Sequence, residues 1–184
     1  MLVPEHKIYP KPPTPALKSH VLSCDYEPKI DQIIKTIESL DCNVFFTKRS
    51  KEKNRLGKLL FNPKQFNKSF KEKMYELEWT SKRVKFQYSD GTHGCYEVDF
   101  YKDKIAVELQ LGKYAFLTDN AIKFDIFRSK YNLLDLGVLI VPDKKLQQQM
   151  SSGVGCYQQI IKRLDDMNYQ HPLVVISIGL NPKS

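Results

Sequence analysis

No stretch of this sequence approaches the ~20 consecutive apolar residues that a membrane-spanning helix requires. The longest apolar runs, Gly137 to Val141 and Leu173 to Gly179, are of strand length. The opening MLVPEHKIYPKPPTP has no apolar signal core, so export is not expected and the protein reads as cytoplasmic. Cys24, Cys42, Cys95 and Cys156 form no CxxC pair and have no histidine at ligand spacing. That pattern speaks against zinc and for free buried thiols. Glycine is sparse, and Gly153 with Gly155 is too little to build a nucleotide-phosphate loop. Neither an internal repeat nor a low-complexity tract is present.

What remains is the composition of an ordinary folded domain, 184 residues with 41% hydrophobic and 27% charged side chains. It is long enough for one core, so residues 1–184 read as a single domain. Lysine and arginine outnumber acids 29 to 21, a formal charge of +8 that biases the chain toward polyanions. Pro4, Pro10, Pro12, Pro13 and Pro15 forbid regular helix near the start, and residues 1–20 read as an extended arm.

Isoleucines at helical spacing predict an amphipathic helix over Glu27 to Leu40. Asn43 to Phe46 reads as a short strand. The basic run TKRSKEKNRLGK at 47–58 reads as a loop whose Lys48, Arg49, Lys51, Lys53, Arg55 and Lys58 either track phosphates or are simply solvated. Asn62 caps a predicted helix from Pro63 to Glu78, with Pro63 in its first turn. Alternation predicts strands at Val84 to Tyr88, Cys95 to Tyr101 and Ile105 to Leu111. Helices at Thr118–Tyr131, Asp143–Met150 and Gly155–Met167 then interleave with buried strands at Leu136–Val141 and Leu173–Gly179. Phe116, Ile122, Phe124, Ile126 and Phe127 read as helix and core packing. The fold class is α/β, a mixed central sheet flanked by helices.

Chemistry concentrates in EVDFYKDKIAVELQLG, residues 97–112. Strand geometry turns Ile105, Val107, Leu109 and Leu111 one way and Ala106, Glu108 and Gln110 the other. Glu108 and Gln110 thus lie about 6–7 Å apart on one face. A short turn at 102–104 can bring Asp99 opposite Glu108. Two converging carboxylates need a cation, and Mg²⁺ suits hard oxygen ligands. Such an ion can activate water against a phosphodiester. Gln110 can orient water but brings no charge, and Lys113 can meet a phosphate or a guanine edge. Spacing alone leaves a second reading open, that of a solvated sheet face; Glu97, Asp103 and His93 read as surface groups.

At these residues the chain resembles the BglII/BstYI branch of type II restriction endonucleases, within the PD-(D/E)xK superfamily. Asp99, Glu108 and Gln110 match the branch motif of an aspartate, eight residues, then Glu-x-Gln. The likeness continues through ELQLGKYAF at 108–116, GVLIVP at 137–142, MSSGV at 150–154 and PLVVI at 172–176. The resemblance implies a restriction-endonuclease-like fold and a homodimer that surrounds double-stranded DNA and cuts each strand once with Mg²⁺. It implies that Asp99 and Glu108 are metal ligands and that Gln110 completes the site. It also implies that Lys113 and the Ser151–Ser152 segment contact DNA bases. A short palindrome, with a GATC core as in relatives, is the expected target. Other readings are a non-catalytic basic DNA-binding module on this scaffold, or a repair or nicking nuclease.

Overall fold

The computed structural model describes residues 2–9 and 26–180. Its strands are β1 (Leu2–Tyr9), β2 (Lys48–Arg49), β3 (Leu59–Leu60), β4 (Thr80–Gln87), β5 (His93–Lys102), β6 (Ile105–Leu109), β7 (Leu136–Pro142) and β8 (Leu173–Leu180). Its α-helices are α1 (Glu27–Glu38), α2 (Pro63–Glu76), α3 (Leu117–Ser129), α4 (Lys144–Gln148) and α5 (Tyr157–Asp166). Six strands form one mixed sheet in the order β1-β8-β7-β6-β5-β4. The pairs β6·β7 and β7·β8 are parallel, and the outer pairs are antiparallel. β7 and most of β8 are buried throughout, as expected of parallel strands covered on both faces.

Each face of the sheet has its own core. On one side Ile33 and Ile37 of α1, together with Phe66, Phe70 and Met74 of α2, pack on Ile105, Val107, Val138 and Ile176. On the other, Leu117, Ala121, Phe124 and Phe127 of α3 and Ile160 and Leu164 of α5 pack on Ala106, Leu139 and Val175. This is the α/β arrangement that the hydrophobic spacing predicts. Asn62 caps α2 as expected, accepting from the Gln65 N–H at 3.4 Å.

Four local expectations are corrected. Cys42–Phe45 is a 3-10 turn rather than a strand, because the Asp41 carboxylate caps it through the Asn43 N–H at 3.0 Å. The basic 47–58 segment is not an irregular loop: its flanks pair as the small β2–β3 hairpin. Phe116 and Ile122 are about half exposed, whereas Phe124 and Phe127 are core. Cys42 and Cys156 are buried thiols, but Cys95 is exposed; Cys24 lies outside the described residues. The extended arm proves to be a true strand over Leu2–Tyr9, paired antiparallel with β8. Pro4 is accommodated because β1 is a sheet edge. Residues 10–20 of the expected arm lie outside the described residues.

Helix α3 sits close to the sheet because Gly137 of β7 has no side chain. A Cβ there would meet the Phe124 ring at 2.6 Å. Gly137→Ala is therefore expected to push α3 outward and to cost about 1–3 kcal/mol, read as a lower urea midpoint at unchanged m-value.

Candidate active site

The centre of the site is a break in the sheet. β5 and β6 pair only through Phe100↔Val107, Tyr101↔Ala106 and Lys102↔Ile105. On the other edge of β5, Thr80 pairs with Tyr101 and Lys82 with Val98, so one residue of β4, Ser81, stands opposite two of β5, Asp99 and Phe100. The extra residue is a β-bulge between Val98 and Tyr101. Its effect is visible in the packing: Val98 and Tyr101 both turn to the α3 side, while Phe100 turns to the α1/α2 side. Asp99 lies in this bulge. Where backbone pairing stops, its carboxylate takes over, accepting the Leu109 N–H at 3.0 Å.

Glu108 is 5% exposed and shares the α3 face with Ala106, as strand alternation requires. Lys123 of α3 donates to its carboxylate and also to the Glu97 carbonyl at 2.8 Å. Burial first, then the nearby charge of Asp99, raises the Glu108 pKa to about 7, against the pull of Lys123. Gln110 follows β6, with its N–H on the Ile140 carbonyl at 2.9 Å. Its side-chain amide is held from both ends: Asn120 Nδ2 donates to Oε1, and Nε2 donates to the Lys113 carbonyl, each at 3.3 Å. Helix α3 therefore serves both polar residues of the strand face. Asn120 and Lys123 are about one helical turn apart, a rise comparable with the i, i+2 spacing of Gln110 and Glu108.

Lys113 is exposed and forms an antiparallel bridge with Val154. Tyr114 N–H to the Gly153 carbonyl at 2.8 Å and Gly155 N–H to the Gly112 carbonyl at 3.2 Å extend that contact. The loop that holds Ser151 and Ser152 is thereby joined, through residues 153–155, to residues 112–114 just past β6 and Gln110. His93 and Glu97 are exposed, with Glu97 paired to Arg83, and Asp103 is paired to Lys29.

Sequence reasoning missed Lys123 and Asn120. Their trace is two polar residues about one turn apart in LTDNAIKF, Asn120 on the buried face with Leu117, Ala121 and Phe124 and Lys123 at its flank. Among the described residues no group of three or more His, Cys, Asp or Glu side chains converges. The site is a two-carboxylate set. Such a set fits Mg²⁺, which takes one or two carboxylates and fills its shell with water and phosphate oxygens.

The sheet thus splits beside two acids, with basic and hydroxyl side chains on the loops that follow. A sequence model described as "Restriction endonuclease BglII/BglIII" matches residues 19–178. The chain belongs to that family, and with it to the type II site-specific deoxyribonucleases. Among solved structures it is similar to that of restriction endonuclease BglII complexed with a DNA 16-mer. The TM-score is 0.75 at 17% identity, covering 98% of this chain and 78% of that one. Against free BglII the TM-score is 0.64 at 16% identity, covering 98% and 80%. A comparison with curated protein sequences returns no match.

The raised Glu108 pKa has a consequence for stability. The folded state holds that proton more tightly than the unfolded chain, so stability falls as pH rises from about 4.5 to 7, and the loss is complete above 7. In EDTA at pH 8, Glu108→Gln is expected to stabilise the protein by up to about 3 kcal/mol, a rise of several degrees in Tm. At pH 4 the gain should vanish; calorimetry at both pH values checks this.

Proposed function

We propose that this enzyme hydrolyses both strands of duplex DNA at a short palindromic site in an Mg²⁺-dependent reaction. Residues 1–184 act as one endonuclease domain, in the cytoplasm, where its DNA substrate lies. Asp99 and Glu108 hold the ion and Gln110 completes the site. The observation that carries this reading is the carboxylate pair at the β5–β6 split, one acid in a bulge and the other buried against an ammonium group. A buried carboxylate with a neighbouring acid is unfavourable in the resting protein and becomes favourable beside a divalent cation.

The ion, when bound, supplies Lewis acidity toward the scissile phosphate and toward water. The chain's own groups do the rest. Asp99, tied to the Leu109 N–H, presents its remaining lone pairs outward. The backbone of Glu108 is fixed by the parallel pairing of β6 with β7, opposite Leu139, and its carboxylate by Lys123. Lys123 supplies the positive charge that Gln110 does not, and keeps it next to the phosphate-binding locus through the Glu97 carbonyl. The neutral amide of Gln110, gripped by Asn120, is suited to orienting a water molecule. Lys113, Ser151 and Ser152 face base edges of the DNA, where lysine and serine donors discriminate purine acceptors.

A palindromic substrate calls for two copies related by a twofold axis. The half-exposed Phe116 and Ile122, at the start and on the outer side of α3, supply apolar surface for such a homodimer. The net charge of +8 favours the phosphate backbone. A GATC core is the target carried over from the resemblance.

Asp99→Asn and Glu108→Gln should each retain DNA binding in a gel-shift assay in Ca²⁺. Each should lose at least roughly 10²–10³-fold in cleavage rate, and EDTA should stop the wild-type enzyme. Digestion of phage DNA with Mg²⁺ followed by sequencing of the ends provides the direct test. Discrete fragments sharing one symmetric end sequence are expected; full activity in either variant, or ends without common sequence, would refute the assignment.

A further inference from the structure

The basic hairpin 47–60 is attached to the rest of the molecule in a way its composition does not foretell. Arg55 Nη1 donates to two backbone carbonyls, Gln148 at 3.0 Å and Met150 at 3.1 Å. The same guanidinium pairs with the Glu52 carboxylate. The other oxygen of Glu52 accepts the Ser152 N–H at 2.7 Å. That N–H, and then Arg55, hold the Glu52 carboxyl below its ordinary range. Lys48 Nζ donates to Ser151 Oγ at 2.6 Å. Just beyond β3, the Phe61 N–H reaches the Gln149 carbonyl at 2.7 Å. Apart from the Arg55–Glu52 pair itself, each of these contacts ends on residues 148–152.

The hairpin is itself braced. Ser50 is buried, its N–H on the Lys58 carbonyl at 2.9 Å and its carbonyl accepting from Gly57 at 3.0 Å. Opposite the hairpin, the same loop is tied to residues 112–114 by the Lys113–Val154 bridge. The Ser151–Ser152 segment is therefore gripped from two sides, and one grip is a charged pair about a hundred residues earlier in sequence. Neither Arg55 nor Glu52 touches the carboxylates of the site.

We propose that Glu52 and Arg55 are specificity-determining positioning residues: the hairpin presets Ser151 and Ser152 against Lys113, so that discrimination between target and near-target sequences depends on it while bond cleavage does not. The proposal rests on the reading that Lys113 and Ser151–Ser152 face the bases. Readout by a few short side chains tolerates little displacement, and a wrong base pair is rejected only if the donors cannot shift to meet it.

The test uses Arg55→Lys, which keeps the charge but removes the forked donor, and Glu52→Gln, which keeps an oxygen for the Ser152 N–H but removes the ion pair. Phage DNA is digested with wild type and each variant in Mg²⁺, the ends are sequenced, and rates are measured on duplexes carrying the wild-type consensus or a single changed base pair. The expected result is a loss of discrimination of about tenfold or more, with the rate on the consensus duplex at saturating enzyme within about threefold of wild type. Should Arg55→Lys fail to fold, Glu52→Gln alone carries the comparison. Unchanged discrimination in a folded variant would overturn the proposal. So would a uniform loss on every sequence with a flatter salt dependence, which would make Arg55 a phosphate contact instead. Wild-type ends lacking a common sequence would instead remove the parent reading, and this proposal with it.

Discussion

Keeping Glu108 charged inside the protein is the constraint around which the rest is arranged. Left unpaired at 5% exposure, a carboxylate costs several kcal/mol, and Asp99 beside it adds to that cost. Three features offset it. The bulge in β5 places Asp99 at the β5–β6 split, where its carboxylate satisfies the Leu109 N–H that has no strand partner on that side. Lys123 neutralises Glu108 from the neighbouring helix. The close seating of α3 over Gly137 brings that lysine within reach. Relaxing any of them would leave the Glu108 charge less well compensated.

The two faces of the sheet divide the work. The α1/α2 side is packed with aromatic rings, among them Phe45, Phe61, Phe66, Phe70 and Phe100, in edge-on and stacked contacts. It supplies rigidity and anchors the base of the β2–β3 hairpin through Phe61. The α3/α5 side carries polar residues that meet polar residues of β6. Apolar packing and the buried acid are thus assigned to opposite surfaces of one strand: Val107 and Leu109 turn to the first, Glu108 to the second.

Residue spacing alone reveals a good part of this. The alternation in IAVELQL predicts which side of β6 Glu108 occupies, and the isoleucine and phenylalanine periods predict the inward faces of α1 and α2. The bulge at Asp99 is not legible, because it is defined by the register of β4, a nonlocal property. Lys123 is hidden for a related reason: a lone lysine on a helix reads as solvated until tertiary packing brings a carboxylate to it. The hairpin at 47–60 was obscured by its charge, since Lys48, Glu52 and Arg55 find their partners on a distant loop. Phe116 and Ile122 mislead in the opposite direction, apolar in type yet outside the core of the single chain. Family resemblance adds the pairing of Asp99 with Glu108, which spacing by itself leaves open.

The strand order has a consequence for biosynthesis. Tyr9 pairs with Leu173 and Leu2 with Leu180, while Leu173 and Val175 also form the floor on which α3 and α5 rest. Helix α5 therefore lacks its floor until residues 173–175 have emerged from the ribosome, whereas α3 already has β7 beneath it. Strand β1, synthesised first, thus waits longest for its partner, because β8 is the last strand of the sheet in chain order.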